Sequence, residues 1–500
     1  MKTCVVRRRF WATEADNATV DVDLEPNFGT IKGCIIFYIE NNAATDAFDT
    51  TLRFRNVGVG FASTNTYVTN IITLEDAAAT GTSTQKAHSN ANFISATSTD
   101  RNTVHYRCTS ATFATDKIRF VFANQSPQTN GHLDALIWAI SGEEISVGVG
   151  FSSFSTNTGT SRIYSQLNFQ PDIIFISSSN TTLNQSVTGD SNFSFGVATR
   201  SPLQQSCLGW WYQNNVGTTN QVIRESNTSI TNFPANAGSV VTAAIGSIGA
   251  NGWTMTNTGT FGTNIVYNFF AIAGISPSDF ALLNVDTPTG TGSNFSGLGS
   301  SGFIPETVIG MTSYVQTRDA TQSSSATGAD GFGLCAGVAT SHTKLYNGNG
   351  TITYNAVGSA VTGTGTTFFK FFSGTRLYTT DGSLIGTVST ATGNTALTLT
   401  ANALLTGTGQ SYVYSDFRQG TLSIGDNDNT AGATVYSQIS SRLYTVAEGT
   451  PSVVVQGSLV TPDTRNGLQI SYSTVDANPT FGWLAAFKNQ TTSRRRGGIS

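Results

Sequence analysis

Metal or acid–base chemistry that uses imidazole would have to be built on four histidines, His88, His105, His132 and His342. They are scattered, with no H-x-x-x-H or H-E-x-x-H spacing, so a metal centre would need the fold alone to gather its ligands. No metal site and no cofactor is expected. Gly425-Asp426-Asn427-Asp428-Asn429 sets oxygen ligands at alternate positions, as a calcium loop does. It lacks the glycine and the distant bidentate glutamate of an EF-hand, and Asp and Asn are residues that turns select, so a polar turn is the preferred reading. A glycan hydrolase would need two carboxylates facing a sugar, roughly 5 to 10 Å apart. Asp172, Asp190 and Glu306 could supply them, but Asp172 and Glu306 each follow a proline in a repeated motif, which favours a structural turn. No Gly-x-Ser-x-Gly elbow and no phosphate-binding loop of the G-x-x-x-x-G-K-[ST] type occurs. No catalytic residue is assigned, and the chain is not expected to be an enzyme. Trp210-Trp211-Tyr212 is the one local candidate for ligand binding, as an aromatic platform for a glycan. Successive strand side chains point to opposite faces, so at least one of these tryptophans is expected in the core.

The elements that would position these residues follow from the composition. Charged residues make up 11% of the 500-residue chain and the formal net charge is −4. No global field therefore draws it to nucleic acid or to an anionic membrane. Ser and Thr fill roughly a quarter of the sequence, and glycine adds 51 residues. Such a composition can signal disorder, but 38% hydrophobic and 10% aromatic residues supply material for cores. β-branched and aromatic residues outnumber good helix formers, and no apolar pattern at helical spacing runs for three turns without a glycine. No run approaches the ~18 apolar residues of a membrane span, and no secretory leader is read at the N-terminus. The five cysteines, Cys4, Cys34, Cys108, Cys207 and Cys335, form no paired framework and are expected to be reduced and mostly buried. Arg7-Arg8-Arg9 and Arg494-Arg495-Arg496 read as solvated terminal arms.

A three-part signature recurs along the chain. It opens on an apolar run led by proline or glycine: Pro171-Asp172-Ile173-Ile174-Phe175-Ile176, Pro305-Glu306-Thr307-Val308-Ile309, and more loosely Gly33-Cys34-Ile35-Ile36-Phe37. A Gly-apolar-Ala-hydroxyl tetrad follows at Gly60-Phe61-Ala62-Ser63, Gly196-Val197-Ala198-Thr199 and Gly337-Val338-Ala339-Thr340. Each copy closes on an aromatic-aliphatic strand: Leu136–Ile140, Asn268–Ile272 and Trp483–Phe487. Internal repetition decides how the rest of a chain is read. The expected fold is all-β, with three tandem β-sandwich modules at 1–142, 143–274 and 275–490. They follow one another almost without linkers and are expected to stack rigidly. The third is to carry a small projecting all-β insertion at about 356–415, and 491–500 is left as a basic tail. Sandwiches are preferred to barrels because the strands are short, several to a module, and separated by turns.

The Pro-Asp-Ile-Ile-Phe-Ile opening, the Gly-Val-Ala-Thr strand, the Asn251-Gly252-Trp253 turn and the closing Tyr267-Asn268-Phe269-Phe270-Ala271 strand resemble β-sandwich modules in structural proteins of tailed bacteriophages. The first copy lacks the Pro-Asp pair. Val361-Thr362-Gly363-Thr364-Gly365-Thr366-Thr367-Phe368, Ile385-Gly386-Thr387-Val388 and Leu397-Thr398-Leu399-Thr400 resemble a small β module of phage tail and baseplate proteins. The resemblance implies a virion component made in the bacterial cytoplasm and then assembled in a tail, baseplate or fibre. Its partners would be other virion proteins and copies of itself, with a host surface glycan as a further candidate and neither nucleic acid nor membrane insertion involved. The alternatives are a capsid decoration or head-fibre protein, a carbohydrate-binding adhesin using the Trp210 region or the insert, and a tail-associated glycan hydrolase.

Overall fold

The apolar residues of the repeated strands come in near-continuous runs instead of strict alternation, the pattern of strands covered on both faces. The structure, a computed structural model, describes residues 1–488 apart from 12–17, 26–27, 43–46, 51–53, 65, 76–82, 98–103, 124–131, 214–220, 235–239, 262–264, 295–302, 304, 324–332, 341–344, 369–370, 372–374, 416–418, 427–434, 441, 449–451, 460–469 and 477–479. The described residues form antiparallel β-sheets and contain no α-helix. No helix among them could cross a membrane.

One arrangement occurs three times. The first seven-stranded sheet runs Lys2–Trp11, His132–Ser141, Ile31–Asn41, Phe54–Ser63, Thr66–Glu75, Ser83–Ser89 and Ser186–Thr188. The second runs Ser146–Ser153, Val266–Ala273, Ile173–Ser178, Ser191–Arg200, Leu203–Tyr212, Gln221–Ser226 and Gln322–Ser323. The third runs Phe280–Asp286, Phe481–Phe487, Thr307–Ser313, Gly333–Thr340, Gln419–Asp426, Val435–Ser440 and Phe48–Asp49. A four-stranded sheet accompanies each: Ala18–Asp23, Lys117–Phe122, Val104–Ala114, Ile94–Thr97; then Ser161–Tyr164, Gly252–Asn257, Val240–Gly249, Thr231–Pro234; then Gly292–Asn294, Ile470–Thr474, Ser452–Leu459, Tyr444–Glu448.

Each four-stranded sheet covers one face of its seven-stranded partner. In the first sandwich Ile36, Ile137 and Ala62 meet Val22, Ile118 and Phe120. In the second Ile174, Ala198 and Phe269 meet Phe233, Ile245 and Trp253. The opposite faces of the three large sheets meet one another in a single shared core. Phe195 stands inside it, with ring centroids 5.1 Å from Phe37 of the first sandwich and 5.5 Å from Trp483 of the third. Trp138 lies 6.2 Å from Phe270 and 4.7 Å from Phe487, again joining all three.

The tetrad is explained by this two-sided burial. In the first two sandwiches Phe61 and Val197 enter the shared core, while Ala62 and Ala198 turn to the sandwich core. The preceding glycine admits a crossing chain. A Cβ on Gly60, Gly196 or Gly337 would overlap the carbonyl oxygen of Phe93, Ile230 or Leu443. Each of those residues immediately precedes a strand of the smaller sheet, Ile94–Thr97, Thr231–Pro234 or Tyr444–Glu448. The Pro-Asp and Pro-Glu openings are equivalent too: Asp172 N donates to Ile272 O and Glu306 N to Phe487 O, both at 2.7 Å.

The sandwiches close on one another, because the seventh strand of each large sheet comes from a different third of the chain. The structure departs from the sequence expectations in two places. Arg7-Arg8-Arg9 is no solvated arm but part of the strand Lys2–Trp11, with Arg7 buried and Arg9 Nε 2.8 Å from the buried carboxylate of Asp134. Arg494–Arg496 and the tail 491–500 lie outside the described residues. The insert forms an eight-stranded sheet that begins before Ala356, with Leu345–Asn347 and Thr351–Tyr354, and ends at Tyr412–Ser415. It has its own core around Phe368, Leu377, Ile385 and Tyr412. It fills the connection between Gly333–Thr340 and Gln419–Asp426, which remain paired neighbours.

Two outcomes follow from this packing. A core common to three sandwiches cannot be lost from one alone, so calorimetry should show the three melting in one transition and the insert in another. Deleting 345–415 should remove only the second transition, whereas three separate ring transitions would contradict the shared core. The methyl of Gly196→Ala has nowhere to go but against the Ile230 backbone and should cost about 2–4 kcal/mol in chemical denaturation. Gly249→Ala, which meets open space, should stay within about 0.5 kcal/mol of the parent.

Candidate functional site: the seams between the sandwiches

Trp210, Trp211 and Tyr212 are 0%, 4% and 0% exposed. Trp210 and Tyr212 lie in the shared core, edge to face at 5.6 Å, and Trp210 Nε1 donates to Gln221 Oε1 at 3.3 Å. With no ring face open to solvent they cannot form the glycan platform considered from sequence. Alternation placed one tryptophan inside, and burial of both sheet faces places both there.

The carboxylate of Asp172 serves a joint. Asp172 accepts from Arg200 Nη2 at 2.5 Å and from the backbone N–H of Gly274 and Ile275 at 2.8 and 3.0 Å, pinning the crossing into the third sandwich. Asp190 directly precedes the strand Ser191–Arg200, whose far end is where Asp172 binds Arg200. At ~3.3 Å per residue the two carboxylates are roughly 30 Å apart, outside the window for paired catalysis.

The two histidines with described side chains are not brought together either. His132 Nε2 lies 3.2 Å from the buried carboxylate of Asp134, and His88 lies four strands away in the same seven-stranded sheet. His105 belongs to the strand Val104–Ala114 of the first small sheet. His342 lies outside the described residues, as do Asn427, Asp428 and Asn429 of the acidic turn. Among the described residues no three His, Cys, Asp or Glu side chains come together as metal ligands. The five cysteines are all buried and unbridged, and burial pushes the Cys108 thiol up to about 12.

What the fold does bring together is three seams, each made by a short strand that leaves one sandwich and completes the large sheet of another. Ser186–Thr188 of the second sandwich pairs with Ser83–Ser89 of the first. Gln322–Ser323 of the third pairs with Gln221–Ser226 of the second. Phe48–Asp49 of the first pairs with Val435–Ser440 of the third. The donors are equivalent: each lies in the connection that follows Ile31–Asn41, Ile173–Ser178 or Thr307–Ser313. The donation is cyclic and therefore closes a ring. Nothing in hydrophobic periodicity marks so short a donor strand, and the sequence reading missed all three.

Polar groups fix the seams in register. Between the first and second sandwiches, Thr84 Oγ1 donates to Gly189 O at 2.6 Å and Asn70 Nδ2 to Ser177 O at 2.8 Å. Between the second and third, Arg318 bridges Glu225 at 2.8 Å and Asp286 at 2.6 Å. Burial raises the Glu225 pKa, with Arg318 opposing it. Between the third and first, Trp138 Nε1 donates to Thr307 Oγ1 at 3.1 Å, and Thr307 Oγ1 to Thr3 Oγ1 at 2.8 Å.

His88 sits in the first of these seams, 3% exposed. The Asn184 N–H donates to Nδ1 at 3.2 Å, which leaves the proton on Nε2 to be donated to Asn268 Oδ1 at 2.7 Å. Burial pushes its pKa down to about 4, with the Asn268 hydrogen bond opposing. Comparisons with protein-family models, curated proteins and solved structures find no match.

The sign of the pH effect at His88 follows from the lowered pKa. The unfolded chain takes up a proton below about 6.5 that the folded seam refuses until about 4, so this contribution is whole above 6.5 and is lost as pH falls towards 4. His88→Gln can still donate to Asn268 but cannot titrate. Relative to that variant, the parent should lose about 3 kcal/mol of unfolding free energy between pH 7 and pH 4. Denaturant titrations of both proteins at the two pH values measure this, and a difference independent of pH would contradict it.

Proposed function

We propose that this chain is a structural component of a tailed bacteriophage virion, in the tail, baseplate or fibre apparatus, and that it works by assembly and not by catalysis. The observation that carries the reading is the ring of three sandwiches closed by reciprocal strand donation. Such a ring has the approximate threefold symmetry of a trimeric fibre, and a hexameric baseplate ring also contains a threefold axis. One chain could therefore seat on a symmetric neighbour, with the single eight-stranded insert marking one of three otherwise similar sides. The low charge suits this role, because surfaces poor in ions can be buried between subunits without a large desolvation cost. Buried, unbridged thiols accord with folding in a reducing cytoplasm before assembly.

Immunogold labelling of intact virions tests the proposal. Label on the tail tip, baseplate or fibres is the expected result. Label spread over the head would replace it with a capsid-decoration role, and virions without label would overturn both.

A further inference from the structure

The seam between the first and second sandwiches is not closed along its whole length. Near its outer end lies a groove of about 880 Å³, within the range of roughly 300–1,000 Å³ common for small-molecule sites. The pocket at the junction of the second and third sandwiches, beside Asp172 and Pro202, holds only about 60 Å³. A groove of this size is therefore not a simple consequence of two sandwiches meeting.

Its lining mixes aromatic faces with neutral hydrogen-bonding groups. Tyr67 comes from the first sandwich, and Phe151 and Tyr164 from the second, all partly exposed. Tyr164 is held rigidly, stacked on Trp253 at 4.5 Å and packed against Phe269 at 4.7 Å. Burial pushes its phenol up to about 12, so it stays protonated and able to donate. Asn90 and Gln166 stand exposed in the wall. Arg162 is the only charged side chain in the lining, and its Nη1 donates to Phe154 O at 3.2 Å, which fixes its course.

We propose that this groove binds an oligosaccharide that is neutral or carries a single acidic group. Pyranose rings offer apolar C–H faces to tyrosine and phenylalanine, and their hydroxyls match amides, tyrosine hydroxyls and a guanidinium. The lining has no lysine and no second arginine, so it does not suit a polyphosphate or nucleic-acid backbone. It has no carboxylate, so it does not suit a cation. The site is distinct from Trp210-Trp211-Tyr212, and it does not depend on where the chain is assembled.

The test is a printed array of neutral and uronic-acid-containing oligosaccharides, probed with the full chain and with Tyr67→Ala, Arg162→Ala and Ile163→Ala. Ile163 is 72% exposed and lies outside the groove lining, so its variant is the control. The expected result is saccharide binding by the parent and by Ile163→Ala that falls at least tenfold in the other two, with unchanged melting temperatures. Should Tyr67→Ala lower the melting temperature, exposed Arg162→Ala decides alone. No binding by the parent, or binding that survives both groove substitutions, overturns the proposal. Because the array reads binding and the gold label reads location, either can fail without the other.

Discussion

Closure is the constraint on which the rest of this structure depends. A sheet edge presents unpaired N–H and C=O groups, and an uncovered edge invites pairing with another chain. Each large sheet here has one edge completed by a strand from another sandwich, and the rotation repeated three times returns to the start. A head-to-tail interface that closes makes a ring, and one that does not makes a filament. The ring also decides the interior, since bringing three sheets together buries their second faces in one core.

That second burial accounts for much of the composition. A strand covered on both sides cannot alternate apolar with polar residues, so the repeated strands read as Ile173-Ile174-Phe175-Ile176 or Leu136-Ile137-Trp138-Ala139. Polar side chains along the seams are largely uncharged and paired, as Asn70, Ser177 and Thr307 are. Where an ion is buried, a partner accompanies it. Burial alone would raise the Asp134 pKa, but Arg9 and His132 hold it well below the usual carboxylate range.

The all-β class and the three copies of the signature were legible because they rest on local patterns: β-branched runs, turn residues and a glycine kept wherever a neighbouring carbonyl crosses. The insert was legible for the same reason, although its first two strands, Leu345–Asn347 and Thr351–Tyr354, fall before the boundary read from the sequence. Ring closure was not legible. It rests on donor strands of two or three residues whose partners are distant in sequence, too short for periodicity to mark. The aromatic run at Trp210 was legible as core for one tryptophan only, because its alternation was read against one buried face when two exist. The groove lined by Tyr67 and Tyr164 was out of reach, since its walls come from separate sandwiches.

The direction of donation bears on synthesis at the ribosome. The edge strand Ser83–Ser89 emerges well before Ser186–Thr188, its partner, so the first sandwich must wait with that edge open while the intervening chain is made. At ordinary elongation rates the delay is roughly 5 to 20 s. The second sandwich waits in the same way for Gln322–Ser323. The third does not wait, because Phe48–Asp49 has been present from early in translation. Nascent chains are thus open to premature pairing with one another at two of the three edges, and crowding on a polysome would act there first.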